Sequence, residues 1–307
     1  MKKLTLILTS LLLILMTGCS LEPPEWAKPS SGGSLENMKI GLSISTLNNP
    51  FFVSVKDGVL AEAKKQGLEV LVIDAQNDSA KQSNDVEDLM QKGVNALLIN
   101  PVDSSAISTV VQTANSLNIP VVTLDRSADQ GDIKALVASD NVKGGSMAAQ
   151  YIVEQLGKGA KVIELEGSPG ASATRERGKG FHEIADSQLE VIAKQTADFD
   201  RTKGLTVMEN LLQGNPGVQA VFAHNDEMAL GAIEAIQSSG KNIPVIGFDG
   251  NEDALKSIEA GKLTGTVAQQ PELIGQLAIQ AAKDVLEGKT VEKLIAAPLK
   301  LVVKESK

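Results

Sequence analysis

The chain has 307 residues, of which 42% are apolar and 22% charged, with a formal net charge of −9. That length gives room for two lobes with cores of their own. The acidity argues against a nucleic-acid partner, because phosphate recognition needs clustered Lys and Arg.

The N-terminus is a targeting segment rather than fold. Met1-Lys2-Lys3 is a positive region, Leu4 to Met16 is a short apolar run, and Thr17-Gly18 places small residues before Cys19. The run is too short to span a bilayer comfortably and reads as a secretion signal over residues 1–18. Cys19 is the only cysteine, so no intramolecular disulfide is possible. Thr-Gly-Cys resembles the lipobox of bacterial lipoproteins, which implies a diacylated Cys19. Two or more acyl chains, at about 0.8 kcal/mol per buried CH₂, make a stable anchor. Residues 19–37 are then a lipidated N-terminus and linker, with Pro23-Pro24, Pro29 and Ser30-Ser31-Gly32-Gly33-Ser34 and no apolar periodicity.

From Met38 short apolar runs alternate with helical stretches. Lys39–Thr46, Glu69–Asp74, Ala96–Asn100, Pro120–Leu124 and Ala135–Ala138 read as buried parallel strands. Val55, Val59 and Ala63 mark one helix face, and Asp103-Ser104-Ser105 reads as the cap of a helix running toward Leu117. A second series follows, with strands at Ala160–Glu166, Glu190–Ala197, Ala220–Ala223 and Ile243–Phe248, and Leu205, Met208, Leu211 and Leu212 at helical spacing. The two series are copies. Asn118-Ile119-Pro120-Val121 recurs as Asn242-Ile243-Pro244-Val245, and Gly93-Val94-Asn95-Ala96 as Gly217-Val218-Gln219-Ala220, both 124 residues later. The pattern predicts an α/β fold with a doubly wound parallel sheet built twice.

In such sheets ligands bind beyond the carboxyl ends of the strands, so the residues there are the site candidates. Asn49, Phe51 and Phe52 follow the first strand. The chain has only eight aromatics, and flat rings beside an amide suit the apolar face and hydroxyls of a sugar. Asp125-Arg126 ends the fourth strand and offers acceptors beside forked donors. Arg175 and Arg177 lie at the first turn of the second series, and periodicity does not say which one faces the cleft. Phe199 stands at another strand end, with Asp200 as an expected N-cap, and His224-Asn225-Asp226 ends the strand after that. Asp249 repeats the place of Asp125. Asp249-Gly250-Asn251-Glu252-Asp253 opens like a calcium loop, but the sixth and twelfth positions are Ala254 and Ala260. No phosphate-binding glycine motif is present, and no nucleophile pattern accompanies His182 or His224.

The segments Ser45–Phe52, Thr123–Arg126, Ala173–Phe181, Ala197–Gly204, Val221–Gly231 and Val245–Gly250 resemble the sugar-binding family of type I periplasmic binding proteins of bacterial ABC importers. The likeness runs from Met38 to Lys307. It implies two doubly wound Rossmann-like lobes joined by a three-crossover hinge. Lobe one would be 38–139 plus 270–299, and lobe two 140–269 plus 300–307. It further implies that Asn49, Asp125, Arg126, Arg177, Asn225, Asp249 and Gln269 hydrogen-bond the ligand. Phe51, Phe52 and Phe199 would sandwich its ring, with Phe248 at the edge. It selects Arg177 over Arg175, and it implies that the His224 side chain points away from the cleft. The expected ligand is D-ribose or a similar small sugar, and the expected partner is the membrane permease of an ABC transporter. The chain is expected to be a monomer without enzymatic activity, cofactor, metal or nucleic-acid partner, exported and held on the outer face of the cytoplasmic membrane through Cys19. Another pentose, a hexose or a furanosyl signalling molecule is the alternative ligand. A sugar-responsive transcription regulator would need a helix-turn-helix headpiece where this chain has a secretion signal, Cys19 and a linker.

Overall fold

The computed structural model describes residues 38–304. The expected secretion signal, Cys19 and the linker lie outside the described residues, as do 305–307.

Two six-stranded sheets carry the fold. The first contains β1 (Lys39–Ile44), β2 (Glu69–Asp74), β3 (Ala96–Ile99), β4 (Val121–Leu124), β5 (Ile133–Ser139) and β11 (Leu294–Ala297), in the order β11-β5-β4-β3-β1-β2. The second contains β6 (Ala160–Glu166), β7 (Leu189–Thr196), β8 (Ala220–Ala223), β9 (Val245–Asp249), β10 (Gly265–Ala268) and β12 (Lys300–Val303), in the order β12-β10-β9-β8-β6-β7. Substituting β6 for β1, β7 for β2 and so on turns one order into the other. The repeat in the sequence is therefore a repeat of topology.

Helices cover both faces of each sheet, which is why the strands are apolar on both sides. On the first sheet, α1 (Pro50–Gln66) and α9 (Pro271–Leu286) bury Val55, Val59, Ile274 and Ile279 against one face. On the other face α2 (Ser79–Gln91) and α3 (Ser108–Ser116) bury Val86, Leu89, Val110 and Val111. The second sheet has α4 (Asn141–Leu156) and α5 (Ser172–Gln188) on one side, around Ile152 and Phe181. On the other side lie α6 (Arg201–Gly214), α7 (Asp226–Ser238) and α8 (Glu252–Glu259), around Met208, Met228 and Ile258.

The chain passes between the sheets three times, from β5 to α4, from β10 to α9 and from β11 to β12. The structure departs from the expected elements in two places. α3 begins at Ser108, not at Asp103-Ser104-Ser105; the Asp103 carboxylate instead accepts from the backbone of Ser105 and Ala106, each at 2.8 Å, in the turn before it. β10, β11 and β12 carried no strand expectation. They have four residues each, β11 and β12 are edge strands with half-exposed patterns, and β12 runs antiparallel to β10. At four residues each, these runs are too brief to stand out as strands by periodicity.

Candidate functional site

The carboxyl ends of the strands in both sheets meet at one cavity. It is small, about 220 Å³ even with the open solvent at its mouth included, and is lined by Asn49, Phe51, Phe52, Asp125, Arg126, Ala173, Arg177, Phe199, Asn225 and Asp249. Nine of the candidates named from the sequence are thus brought together. Gln269 is the exception: it stands behind Asp249 and donates to its Oδ1 at 2.9 Å. Phe248 is also outside the lining. Its ring lies under the Arg177 guanidinium, 3.8 Å from the ring centre, as a platform rather than an edge.

Each side chain is set by local backbone chemistry. Asn49 caps α1, its Oδ1 accepting from the Phe51 amide at 2.9 Å, and Pro50 occupies the first helical position. The cap fixes where the two rings begin, and they meet edge to face with centroids 5.3 Å apart. Asn225 caps α7 in the same way, accepting from Met228 N at 3.0 Å and donating to the Phe199 carbonyl at 3.2 Å. Asp125 ends β4 with φ 60°, and the Arg126 amide closes a three-residue turn onto the Leu124 carbonyl at 2.6 Å. Asp198 and Phe199 have φ 53° and 61°, and Asp249 has φ 122°. These left-handed residues are strained, and such strain gathers at functional sites.

The site is a buried charge cluster. Asp125, Arg126, Arg177 and Asp249 are each no more than 5% exposed. Arg126 Nε lies 3.6 Å from Asp125, while Arg177 lies 3.8 Å from Asp125 and 3.6 Å from Asp249. These are charge pairs outside hydrogen-bond reach, and Asp125 Oδ1 and Arg126 Nε have no hydrogen-bond partner within the protein. Burial raises the Asp125 carboxyl, against the pull of Arg177 and Arg126, and raises Asp249 well above the usual carboxylate range against Arg177. Burial likewise lowers Arg126. The Arg126 guanidinium is stacked between Phe52 at 5.0 Å and Phe199 at 5.1 Å, one ring from each lobe.

The structure separates the two arginines that periodicity left open. Arg177 lines the cavity, donating from Nε to Asn141 at 2.8 Å and from Nη1 to the His224 carbonyl at 2.6 Å. Arg175 is exposed and pairs with Asp129 across the rim at 2.7 Å. The rims also touch through Ser104 N to the Gly170 carbonyl at 2.9 Å and Ser127 N to Ser172 Oγ at 2.9 Å. The His224 side chain points away from the cavity to Glu164, at 2.8 Å.

Sequence reasoning missed Asn141 altogether, and it placed Asp226 at a strand end without its supporting role. Asp226 is fully buried and accepts from Gly250 N, Asn251 N and Thr266 Oγ1 at 2.7, 2.8 and 2.7 Å, which fixes the backbone beside Asp249. Burial pushes its carboxyl up to about 7 in spite of those three donors. Both residues sit directly after a cap or crossover, which was the signal available. Among the described residues, the lining contains no Ser, Thr, Cys, Lys or His; it offers donors, acceptors and flat rings.

A family model for the periplasmic binding protein domain matches residues 40–290. The ribose import binding protein RbsB of Bacillus subtilis (strain 168) is 69% identical over 98% of this chain and 99% of its own length. RbsB of Salmonella typhimurium is 52% identical over 90% of this chain and 94% of its own. Among solved structures, an ABC transporter solute-binding protein from Mycobacterium smegmatis with bound glycerol aligns with a TM-score of 0.84 at 36% identity, covering 87% of this chain and 94% of that one.

Proposed function

The chain belongs to the periplasmic binding protein family, and on that footing we propose that it captures D-ribose between its two lobes and delivers it to the permease of an ABC importer. The observation that carries the ligand is the cavity's charge cluster. Ionised carboxylates only accept and guanidinium groups only donate, and the pairs Arg126–Asp125, Arg177–Asp125 and Arg177–Asp249 stand 3.6, 3.8 and 3.6 Å apart. Hydroxyl groups, which do both, complete such a set. We assign hydrogen bonding of the ligand to Asn49, Asp125, Arg126, Arg177, Asn225, Asp249 and Gln269, the last also donating to Asp249, and ring contact to Phe51, Phe52 and Phe199. Lobe one is taken as 38–139 plus 270–299, lobe two as 140–269 plus 300–307. Export and retention at the membrane are assigned to the secretion signal and to lipidated Cys19, with the chain acting as a monomer.

Calorimetric titration of the full chain tests the ligand. Ribose binds, and 2-deoxyribose binds at least about tenfold more weakly, because an unpaired buried group costs about 1–3 kcal/mol and 1.4 kcal/mol is a factor of ten. Equal affinities, or no response to ribose, overturn the assignment. The cleft continues outward to a mouth lined by Asn48, Asn77, Asp198 and Arg201, so other pentoses and hexoses belong in the same panel as the alternative ligands.

A further inference from the structure

We propose, resting on the sugar-binding reading of the cleft, that Asn141 is a positioning residue that aims the Arg177 guanidinium before any ligand arrives. Asn141 is the first residue of α4, where the chain first passes between the lobes, and it is 2% exposed. Its Oδ1 accepts from Arg177 Nε at 2.8 Å, and its Nδ2 donates to Glu176 Oε2 at 3.0 Å. These partners fix which way the amide points. A guanidinium can only donate, so it takes the oxygen, and a carboxylate takes the nitrogen.

The consequence falls on Arg177. The guanidinium is held at Nε by Asn141 and at Nη1 by the His224 carbonyl, and its face rests on the Phe248 ring at 3.8 Å. The remaining N–H groups point toward Asp125, Asp249 and the cavity. The hold is stiff because α4 and α5 touch backbone to backbone. A Cβ added at Gly145 would overlap the Arg177 carbonyl, and one at Gly180 would overlap the Val142 carbonyl. Asn141 and Arg177 therefore move as one body when the lobes rotate, and the ligand does not have to order the guanidinium on binding.

Two measurements on the full chain test this. In nitrogen-15 spectra the Arg177 Nε–Hε resonance, identified by its loss in Arg177→Lys, is protected from exchange without sugar in the wild type and loses that protection in Asn141→Ala. In titrations Asn141→Ala binds ribose at least about tenfold more weakly, the scale of a lost hydrogen bond to a charged group. Should Asn141→Ala not fold, Asn141→Ser, whose hydroxyl is too short to reach Nε, takes its place with the same expectations. An Nε–Hε signal unchanged in the variant, or wild-type ribose affinity in it, overturns the role of Asn141. If the wild type itself does not bind ribose while the resonance behaves as stated, the ligand assignment fails and the positioning role stands.

Discussion

Arg177→Ala would leave the buried carboxylates of Asp125 and Asp249 without the guanidinium that now lies 3.8 and 3.6 Å from them. Truncating one partner of such a buried set costs about 2–5 kcal/mol. Phe51→Leu keeps part of the apolar contact and forfeits mainly the edge-to-face pairing with Phe52, about 1 kcal/mol. Titration should therefore rank Arg177→Ala well below Phe51→Leu in ribose affinity, and the reverse order would remove Arg177 from the site. A second residue-scale expectation concerns pH. His182 bridges Glu164 at 2.9 Å and Asp186 at 2.6 Å. Burial pulls its pKa down, but these two carboxylates more than offset it and leave it above 6.5. A histidine raised on folding stabilises fully below its unfolded value, about 6.5, and that contribution is lost as pH rises through the folded value. The melting temperature of the wild type relative to His182→Gln should thus be largest below about pH 6.5 and shrink above it. A difference independent of pH would refute the linkage.

At the scale of elements, strand ends and helix starts make the site jointly. Phe199 follows β7 in a left-handed conformation and packs on Gly167, at the end of β6. A Cβ added there would overlap the Phe199 ring. Gly167 has no positive φ, so its smallness serves the ring and not the backbone. Gly167→Ala should push the ring toward the cavity and Arg126. Overpacking of this kind costs about 1–3 kcal/mol, so ribose affinity should fall about tenfold in a titration. Unchanged affinity would mean the ring does not depend on this support. Each N-cap at the site has a similar double use: Asn49 and Asn225 satisfy helix amides with their oxygens and line the cavity as well.

For the whole molecule, the lining comes from both lobes, and Arg126 is stacked between a ring of each. A ligand touching both sides stabilises the arrangement in which they meet. Hinge closure around a ligand is a motion for which periplasmic binding proteins are a standing example. Small-angle scattering should show compaction on adding saturating ribose, and superimposable profiles would count against closure. The rim contacts of Ser104 with Gly170 and Arg175 with Asp129 would then form on closing. For location, Cys19→Ser should release the exported chain from the membrane fraction. Undiminished membrane partition would sink the anchor assignment.

The sequence by itself determined the doubled α/β plan, because two apolar series at one offset encode two equal sheets, and Asp125 and Asp249 occupy matching strand ends in them. It also located most of the cavity's lining, since parallel strands direct their carboxyl ends to one edge and few aromatics compete for it. Gln269 and the ligand role of Arg177 were legible only through the family resemblance. Only the tertiary structure decided that Gln269 donates to Asp249, that Phe248 is a platform under Arg177, and that Asn141 and Asp226 hold the charged groups in place. These are contacts between residues up to dozens of positions apart, whose distances and angles depend on how α4, α5 and the strand ends pack. Local periodicity carries no information about that geometry.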